Sequence, residues 1–470
     1  MKIHLLPAGF ALMYLLSGCT TAYRTTAEYP PASPLGKTIQ QYKPYAEEAF
    51  PETESAQPVE TIQKLTLDKA LELALRHNPD LAAYSLEVRA LEASALQAGL
   101  RPNPELEVEV ENFGGSREQE NPDGTVNKLK RFDGSETTIT LSQLFELGGK
   151  RSKRKQVAAL ERDLLGWDYE TKRLDTISEV TKAFIDLLAM QEGLSLMEDL
   201  VQLSEKVFNT VSERVKAGKV SPVEETKAKV ALSIIRIEQE RVRRDLEAAR
   251  KRLAATWRST SPVFQKVIGK LEVVAPIPPL EDLMNRISQN PDIARWAAEF
   301  EHRQAALDME EAARFPDLTI GGGVKYLDES EDQTYVMGFS IPLPLLDRNQ
   351  GGVLEARYRL DKAKQESSAT EVRIRTALHQ AYQELSTAFV EVSTLSNDVI
   401  PGAQSAFDAE NEGYREGKFG YLDVLDAQRT LFDVKGQYIE ALKGYHKAVA
   451  TVERLICESL DLIQSNVQQK

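Results

Sequence analysis

The stretch LRHNPDLAAYSLEVRA, Leu75 to Ala90, has a counterpart in RISQNPDIARWAAEFE, Arg286 to Glu301. Asn78-Pro79-Asp80 in the first stretch recurs as Asn290-Pro291-Asp292 in the second, 212 residues further along the chain. A motif that returns within a similar context is the sequence signature of a repeated structural unit. This pair of stretches therefore indicates an internal duplication.

Further matches follow in the same order. Pro104-Glu105-Leu106 pairs with Pro316-Asp317-Leu318 at the same separation, and Gly218-Lys219 pairs with Gly417-Lys418 at a separation of 199 residues. The separation falls because the loop at 112–136 is longer than its counterpart at 326–333. We therefore predict two copies of one unit, a first repeat at 65–277 and a second at 278–460, with a C-terminal tail at 461–470.

Each copy begins with a predicted helical stretch, at 66–100 and 280–313, and continues into two predicted strands. In Leu106-Glu107-Val108-Glu109-Val110-Glu111 apolar and charged residues alternate with the period of a strand. The triplet Gly321-Gly322-Gly323 weakens the prediction for one strand, although glycine is common where a sheet curves sharply. The predicted strands are 104–112, 136–145, 317–325 and 335–342.

After each hairpin the pattern becomes helical for a long distance. Between Lys150 and Ala217 there is no proline, and apolar residues recur every three or four positions. About 67 residues of helix would extend roughly 100 Å, more than a globular domain needs. The chain then turns at Gly218 and Pro222 and returns as a helix to about Trp257, and the second copy repeats this course over 352–459.

The strand pattern points to a membrane. Alternating strands of about ten residues have the length of transmembrane β-strands. Four strands cannot close a barrel, and an open sheet in lipid would leave backbone groups unpaired. We therefore predict that subunits share the strands and that three copies form a twelve-stranded barrel. The alternative is a soluble helical protein that carries two small hairpins.

Residues 1–18 are predicted to be a signal peptide. A Lys near the start, an apolar stretch from Leu5 to Leu16 and small residues at the end are typical of secretory signals, and the apolar stretch is short for a membrane span. Leu16-Ser17-Gly18-Cys19 resembles the lipobox of bacterial lipoproteins, which implies cleavage before Cys19 and acylation of that residue. Thr20 in place of Asp implies delivery to the outer membrane of a Gram-negative cell. The alternative is an ordinary signal peptide with a chance cysteine.

Composition excludes several classes of protein. The formal net charge of −14, from 58 Lys and Arg and 72 Asp and Glu, argues against a nucleic-acid partner. Residues 19–64 are rich in Thr, Tyr, Pro and Glu and are predicted to form an extended arm. Cys19 and Cys457 are the two cysteines, too few for a disulfide framework or a cysteine-rich zinc module. Cys457 is expected to be a small buried apolar residue.

The sequence predicts no catalytic residues, no cofactor and no resident metal site. The scattered histidines have no HExxH spacing, so we expect none of them to be a metal ligand. Gly148-Gly149-Lys150 lacks the earlier glycine of a P-loop, since Leu144 occupies that position, and is interpreted as a strand-to-helix turn. The basic run at 150–155 suits either contact with lipid headgroups at the periplasmic face or a solvated helix start.

Three motifs in order within the duplicated chain resemble the TolC-type outer-membrane efflux family over residues 65–460. They are Asn78-Pro79-Asp80, the stretch Leu144 to Arg151, and the stretch Gly420 to Gln428. The FELGGKR part of the second motif is similar to the CzcC-like, heavy-metal branch. The resemblance implies a mainly α fold with transmembrane β-structure: a homotrimer whose β-barrel in the outer membrane continues into a periplasmic α-helical barrel.

The resemblance also implies a function and partners. The lumen would be a passive exit duct that docks onto an inner-membrane pump through a periplasmic adaptor, with heavy-metal cations as the suggested cargo. One alternative is a periplasmic adaptor or structural helical lipoprotein without a channel. A second alternative, an envelope enzyme, needs a nucleophile–base or metal constellation that the sequence does not contain.

Within this resemblance the turns at 217–222 and 416–421 lie at the periplasmic tip. Asp423 and Asp426 are three residues apart and so share one helical face. The matching aspartates of similar proteins line a closed entrance, and a ring of like charges favours cations. The alternative is a solvated helix start, where Asp is favourable through the helix dipole.

One departure concerns how the entrance is held closed. Better-known members of the family carry a basic residue in the turn that braces the closed state. The aligned position here is Phe419, beside Lys418. Glu224 and Glu225 occupy the corresponding place in the first copy and are expected to add negative charge at the tip.

Overall fold

The computed structural model describes residues 33–37, 63–113, 118–120, 122–128, 134–262 and 264–460. Its α-helices are α1 (Leu67–His77), α2 (Pro79–Ala98), α3 (Lys150–Lys216), α4 (Pro222–Ala255), α5 (Leu280–Met284), α6 (Pro291–Ala312), α7 (Gln350–Thr394), α8 (Ile400–Glu416) and α9 (Tyr421–Ile456). Its strands are β1 (Lys64–Leu65), β2 (Glu105–Glu111), β3 (Glu118–Glu120), β4 (Val126–Lys128), β5 (Glu136–Phe145), β6 (Lys266–Val267), β7 (Leu318–Leu327) and β8 (Asp332–Ser340). The order of elements repeats, which confirms the predicted mainly α fold with a duplicated helix–hairpin–helix unit.

The two hairpins join into one antiparallel sheet of order β2-β5-β7-β8. Leu106 lies opposite Leu141, Leu141 opposite Gly322, and Gly322 opposite Met337. Because side chains alternate along a strand, this register gathers apolar residues on one face and the glutamates of β2 on the other. The edge strands of the sheet are β2 and β8.

Strand β7 forms in spite of its three consecutive glycines. A Cβ on Gly323 would lie 2.2 Å from the carbonyl oxygen of Ile139 and 2.9 Å from Cα of Thr140. Glycine therefore permits a close approach between β7 and β5 that another residue would prevent.

The second long helix differs from its first-copy counterpart. Helix α3 runs for 67 residues without interruption, whereas α7 passes into a π-helical turn at Leu395–Val399 before α8 begins. Pro401 follows this turn, and proline has no N–H to donate to the preceding turn of helix. The continuous second helix that the sequence pattern predicts, from 352 to 416, is therefore divided by this turn.

By contacts the chain forms two compact units, and each contains parts of both copies. The described residues of one fall within 89–163 and 305–356, and those of the other within 30–88, 164–304 and 357–460. No helix in the described part of the chain is both long and apolar enough to cross a membrane.

Asn-Pro-Asp has the same role in both copies. The side chain of Asn78 accepts hydrogen bonds from the backbone N–H groups of Asp80 and Leu81, at 2.9 and 3.2 Å, and donates to the carbonyl oxygen of Thr256 at 3.0 Å. Its oxygen caps the start of α2, and proline at the next position suits the first turn of a helix. The motif thus begins α2 and links it by a hydrogen bond to the C-terminal end of α4.

Asn290 repeats these contacts in the second copy. It accepts from the N–H of Asp292 at 2.9 Å and donates to the carbonyl oxygen of Leu455 at 2.8 Å. Leu455 follows Thr256 by 199 residues, which is also the separation between Gly218 and Gly417. The duplication therefore extends to individual hydrogen bonds.

FELGGKR forms the turn between β5 and α3. Gly148 and Gly149 have φ of +69° and +74°, and a Cβ on Gly148 would lie 2.9 Å from the ring of Phe315. Asp317 accepts from the N–H of Leu147 at 3.0 Å and from Lys150 Nζ at 2.8 Å. The two glycines therefore allow a tight turn, which agrees with the strand-to-helix interpretation.

A short segment of the predicted arm, residues 33–37, contacts a buried ion pair. Arg173 and Glu170 are 1% and 4% exposed and lie 2.7 Å apart. Glu170 accepts from the N–H of Ser33, and Arg173 donates to the carbonyl oxygens of Ser33 and Leu35. These hydrogen bonds compensate the burial of both charges and hold the segment against α3.

Candidate functional site: the turns between the long helices

The two turns between long helices close with the same backbone hydrogen bonds. In the first, Gly218 N–H donates to Val215 O and Lys219 N–H to Arg214 O, both at 2.9 Å. In the second, Gly417 N–H donates to Tyr414 O at 3.0 Å and Lys418 N–H to Gly413 O at 2.7 Å. Both glycines have positive φ, as helix C-termini of this type require.

Phe419, the residue that stands where a basic residue was expected, packs against Gly413. A Cβ on Gly413 would lie 2.1 Å from Cδ2 of Phe419, so glycine makes room for the ring. The neighbouring Lys418 forms an ion pair with Glu416. The second turn is thus closed by packing, and its one cation pairs within the turn.

Asp423 lies in the first turn of α9 and caps the start of that helix. Its Oδ2 accepts a hydrogen bond from the N–H of Gly420 at 2.8 Å, while the side chain remains exposed. A carboxylate in the first turn also interacts favourably with the helix dipole. The local role that the sequence left open as an alternative is therefore present.

Asp426 lies one turn further along α9 and is also exposed. No described residue forms an ion pair or hydrogen bond with its carboxylate. Leu422, which directly precedes Asp423, is 57% exposed. The start of α9 therefore presents two carboxylates on an open surface, with the charge of Asp426 uncompensated by the described part of the chain.

A basic residue does brace the second turn, but it comes from the first copy. The Arg214 guanidinium lies 4.3 Å from the centre of the Tyr414 ring, and its Nη1 donates to the carbonyl oxygen of Tyr414. Tyr414 is 3% exposed, so the arginine covers a buried aromatic face. This contact fixes the end of α8 to the end of α3.

Tyr414 and Tyr421 form a buried aromatic pair behind this contact. Their ring centres are 6.5 Å apart at an interplanar angle of 62°, an edge-to-face arrangement. Burial raises the pKa of both hydroxyls, and the negative charge of Glu224 adds to the effect. The Tyr414 hydroxyl has no hydrogen-bond partner among the described residues. Both tyrosines therefore remain neutral at physiological pH.

Two polar contacts lie where α3, α4, α8 and α9 pack together near the two turns. Gln428, 2% exposed, donates to the hydroxyl of Ser204 at 2.8 Å, and Ser212 donates to Glu225 at 2.7 Å. A separate apolar cluster surrounds them, formed by Val207, Val211, Ala228, Phe407, Tyr414, Tyr421, Val424, Ala427 and Leu431. The motif Gly420 to Gln428 thus alternates between buried packing positions and the two exposed aspartates.

The features of this site are exposed negative charges and packed helix ends. Among the described residues no group of three or more His, Cys, Asp or Glu side chains is arranged to hold a metal ion. What the turns offer is an exposed carboxylate pair beside a helix junction that is held by one arginine. Exposed carboxylates of this kind attract cations weakly, because water and salt screen their charges.

Sequence patterns located the aspartates but missed Arg214 and Tyr414. These two residues are 200 positions apart, and neither belongs to a matched anchor, so no spacing links them. Tyr421 and Gln428 lie within a quoted motif, and their burial could have been proposed from it. Cys19, the predicted lipidation site, lies outside the described residues.

Most of the basic side chains at 150–155, a run that begins with the Lys of FELGGKR, form ion pairs within the chain. Lys150 contacts Asp317 at 2.8 Å, Arg154 contacts Glu146 at 2.6 Å, and Lys153 lies 3.9 Å from Asp308. These pairs leave less free positive charge for lipid headgroups than the sequence run suggests.

Comparisons with known proteins agree with this architecture. A family model described as outer membrane efflux protein matches residues 70–257 and 284–458, one segment in each copy. The cobalt-zinc-cadmium resistance protein CzcC of Cupriavidus metallidurans is 35% identical over 399 residues, which cover 85% of this chain and 91% of that protein. The nickel and cobalt resistance protein CnrC of the same species is 24% identical over 321 residues, 68% of this chain and 73% of that protein.

A solved structure shares the fold. The Campylobacter jejuni CmeC outer membrane channel superposes with a TM-score of 0.66 at 15% identity, covering 93% of this chain and 98% of that one. The family model and the CzcC similarity together span most of both copies. The chain therefore belongs to the outer membrane efflux protein family, whose members are outer-membrane channels that work with a periplasmic adaptor and an inner-membrane pump.

Proposed function

We propose that the protein forms a homotrimeric exit duct and passes heavy-metal cations from its adaptor and pump to the outside. The trimer is proposed from the four-stranded sheet, whose edge strands β2 and β8 have no neighbouring strand in the described part of the chain. Lipid cannot pair backbone N–H and C=O groups, so both edges need partners. Since the four strands alternate in direction, β8 of one copy can pair antiparallel with β2 of the next, and three copies supply twelve strands.

Metal cations are proposed as cargo from the relatives and from charge. CzcC and CnrC are named for resistance to cobalt, zinc, cadmium and nickel. The polar face of β2 carries Glu105, Glu107, Glu109 and Glu111, and the start of α9 carries Asp423 and Asp426. Carboxylates along a lumen favour cations. Acylation of Cys19 is the proposed anchor of the N-terminus.

Asp423 and Asp426 are proposed to line the periplasmic entrance, and their test must separate charge from helix capping. Asparagine keeps an acceptor for the Gly420 N–H and removes the charge. The Asp423→Asn/Asp426→Asn variant should change the resting conductance in planar bilayers and weaken block by divalent cations, because the like charges are gone. Asp408→Asn, an exposed aspartate of α8, is the matched control. Identical conductance and block in variant and parent would remove the gate assignment.

The cargo proposal has its own test. In a Gram-negative strain that lacks its native outer membrane efflux protein but keeps the cognate adaptor and pump, the gene should restore tolerance to cobalt, zinc or cadmium. Restored tolerance only to organic compounds would contradict the cargo and leave the duct intact.

A further inference from the structure

The connection between β8 and α7 exposes an unusual number of leucines. In Ile341-Pro342-Leu343-Pro344-Leu345-Leu346, which we call the leucine loop, Leu343, Leu345 and Leu346 are 72%, 72% and 91% exposed. The loop is nevertheless held by its own hydrogen bonds: Leu345 N–H donates to Leu343 O at 2.8 Å, and Arg348 Nε donates to Pro344 O at 3.2 Å. A fixed loop with three exposed leucines requires an apolar environment to cover it.

The leucine loop continues the apolar face of the sheet. On β8, Tyr335, Met337 and Phe339 are 92%, 85% and 80% exposed, and they occupy every second position of the strand. Ile341, Leu343 and Leu345 extend the same two-residue spacing beyond the end of the strand. Since that face of the sheet is the one proposed to meet lipid, the loop extends the lipid-facing surface toward the helices.

Two arginines flank the loop. Arg314 and Arg348 line a cleft of about 710 Å³ together with Pro344, Leu345, Leu346 and Gln350. Across the described residues, no carboxylate forms an ion pair with either guanidinium. Asp347, the nearest acid in sequence, accepts instead from the N–H of Asn349 at 2.9 Å.

The equivalent turn of the first copy shows the opposite arrangement. There Lys150 is paired with Asp317 and Arg154 with Glu146. The duplication thus gives two related turns, one in which the chain pairs most of the cations and one with two unpaired arginines beside exposed leucines. The second turn therefore has the charge and the apolar surface that a lipid requires.

The position of the leucine loop relative to the sheet indicates which leaflet of the membrane it would contact. The strand ends that connect to helices, at residues 105, 145, 318 and 340, all lie at the same end of the sheet, because neighbouring strands are antiparallel. In the proposed duct the helices extend into the periplasm, so this end of the sheet lies at the periplasmic leaflet. The start of α7, at Gln350, adds the positive end of a 45-residue helix at the same place.

We propose that Arg314, Arg348 and the leucine loop bind a phospholipid of the periplasmic leaflet. The two guanidiniums hold the headgroup phosphate, and Leu343, Leu345 and Leu346 lie among the acyl chains. The inference rests on the proposed barrel, because it takes the membrane position of the sheet as given. Bidentate pairing with phosphate oxygens suits arginine in particular.

Depth measurements test the loop separately from the barrel. Nitroxide labels at Leu346→Cys and Met337→Cys are placed in a Cys19→Ser background, where the remaining Cys457 is fully buried. The protein is reconstituted in phosphatidylethanolamine–phosphatidylglycerol bilayers, and relaxation by oxygen is compared with relaxation by a water-soluble nickel chelate. Both labels should favour oxygen.

Each other outcome identifies what fails. If the Met337 label meets only the nickel chelate, the proposed barrel is wrong and the lipid inference falls with it. A lipid-exposed Met337 label with a water-exposed Leu346 label overturns the lipid inference alone. A Leu346 label shielded from both reagents shows that a second copy of the chain covers the loop, and this also overturns the inference.

Bound phosphatidylglycerol, counted by native mass spectrometry of the detergent-solubilised protein, tests the arginines. Arg314→Gln/Arg348→Gln should bind it about 30-fold more weakly, if each arginine contributes as cations at a membrane surface do. Arg241→Gln, an arginine of α4 whose side chain is 72% exposed, should bind like the parent. Arg314→Lys/Arg348→Lys keeps both charges but loses the bidentate hydrogen bonds, so it should bind more tightly than the Gln variant and more weakly than the parent. Equal loss in the Gln and Lys variants, or none in either, would contradict the proposal.

Discussion

At the scale of single residues, Asp423 combines a local and a proposed functional role. Its carboxylate caps α9 through the Gly420 N–H, while Asp426, one turn further on, has no partner in the described part of the chain. A substitution that removes the cap costs a helix about 1 kcal/mol. Alanine at Asp423 would therefore mix lost charge with lost stability, whereas asparagine separates them.

Arg214 is predicted to brace the second turn in place of the basic residue that Phe419 replaces. Arg214→Met keeps much of the side-chain volume but removes the cation–π contact and the hydrogen bond to the Tyr414 carbonyl. We expect a higher resting conductance in planar bilayers, since the end of α8 is no longer fixed to α3. Arg415→Met, at an arginine of α8 whose side chain is 63% exposed, is the control and should leave the conductance unchanged. Equal traces for Arg214→Met and the parent would show that the contact does not hold the tip closed.

Cys457 is predicted to resist thiol reagents in the folded protein. The residue is fully buried, and burial raises the pKa of its thiol to about 12. Alkylation at pH 7 to 9 should therefore be negligible and should not accelerate with pH as that of an exposed cysteine does. Denatured protein, in which the thiol is exposed, should react at the ordinary rate. Rapid labelling of folded protein would show that this end of α9 opens.

The same shift has a consequence for stability. The folded thiol keeps its proton above the pH at which an unfolded chain releases it. The contribution of the buried thiol to the free energy of unfolding is therefore complete below about pH 9. That contribution is lost progressively as the pH rises from about 9 toward about 12.

At the scale of elements, the sequence contained most of the fold, because its signals were local or repeated. Alternation in Leu106 to Glu111 indicated β2, and matched anchors revealed the duplication. The contact between Arg214 and Tyr414 could not be predicted in this way, because it depends on how helices of different copies pack. The division of the second long helix at 395–399 was also missed, although Pro401 was a signal for it.

Strands β7 and β8 offer a matched pair of glycines for a test of sheet packing. Gly323→Ala places a Cβ within 2.2 Å of the Ile139 carbonyl oxygen, whereas a Cβ on Gly338 of β8 meets no atom within 4 Å. We expect Gly323→Ala to lower the midpoint of thermal unfolding in detergent, because an overpacked site typically costs about 1–3 kcal/mol. Gly338→Ala should leave the midpoint nearly unchanged. Similar midpoints for the two variants would contradict the close approach of β7 and β5.

At the scale of the whole molecule, the sheet is incomplete within one chain. Both copies contribute a hairpin to it, yet β2 and β8 remain without neighbours in the described part of the chain. Its apolar face exposes Tyr335, Met337 and Phe339 almost completely. In the proposed duct this surface lies in the outer membrane, where open sheet edges are not tolerated. The proposed homotrimer resolves both features with one arrangement.

The most direct test of this account is the mass and shape of the detergent-solubilised protein. Light scattering gives the protein mass free of detergent, and single-particle imaging gives the outline of the particle. The account predicts three copies of the mature chain, each lighter than the 52.5 kDa of the full sequence by its signal peptide, in an elongated particle with a narrow barrel at one end. A compact monomer that stays soluble without detergent would contradict the shared barrel and, with it, the proposed duct.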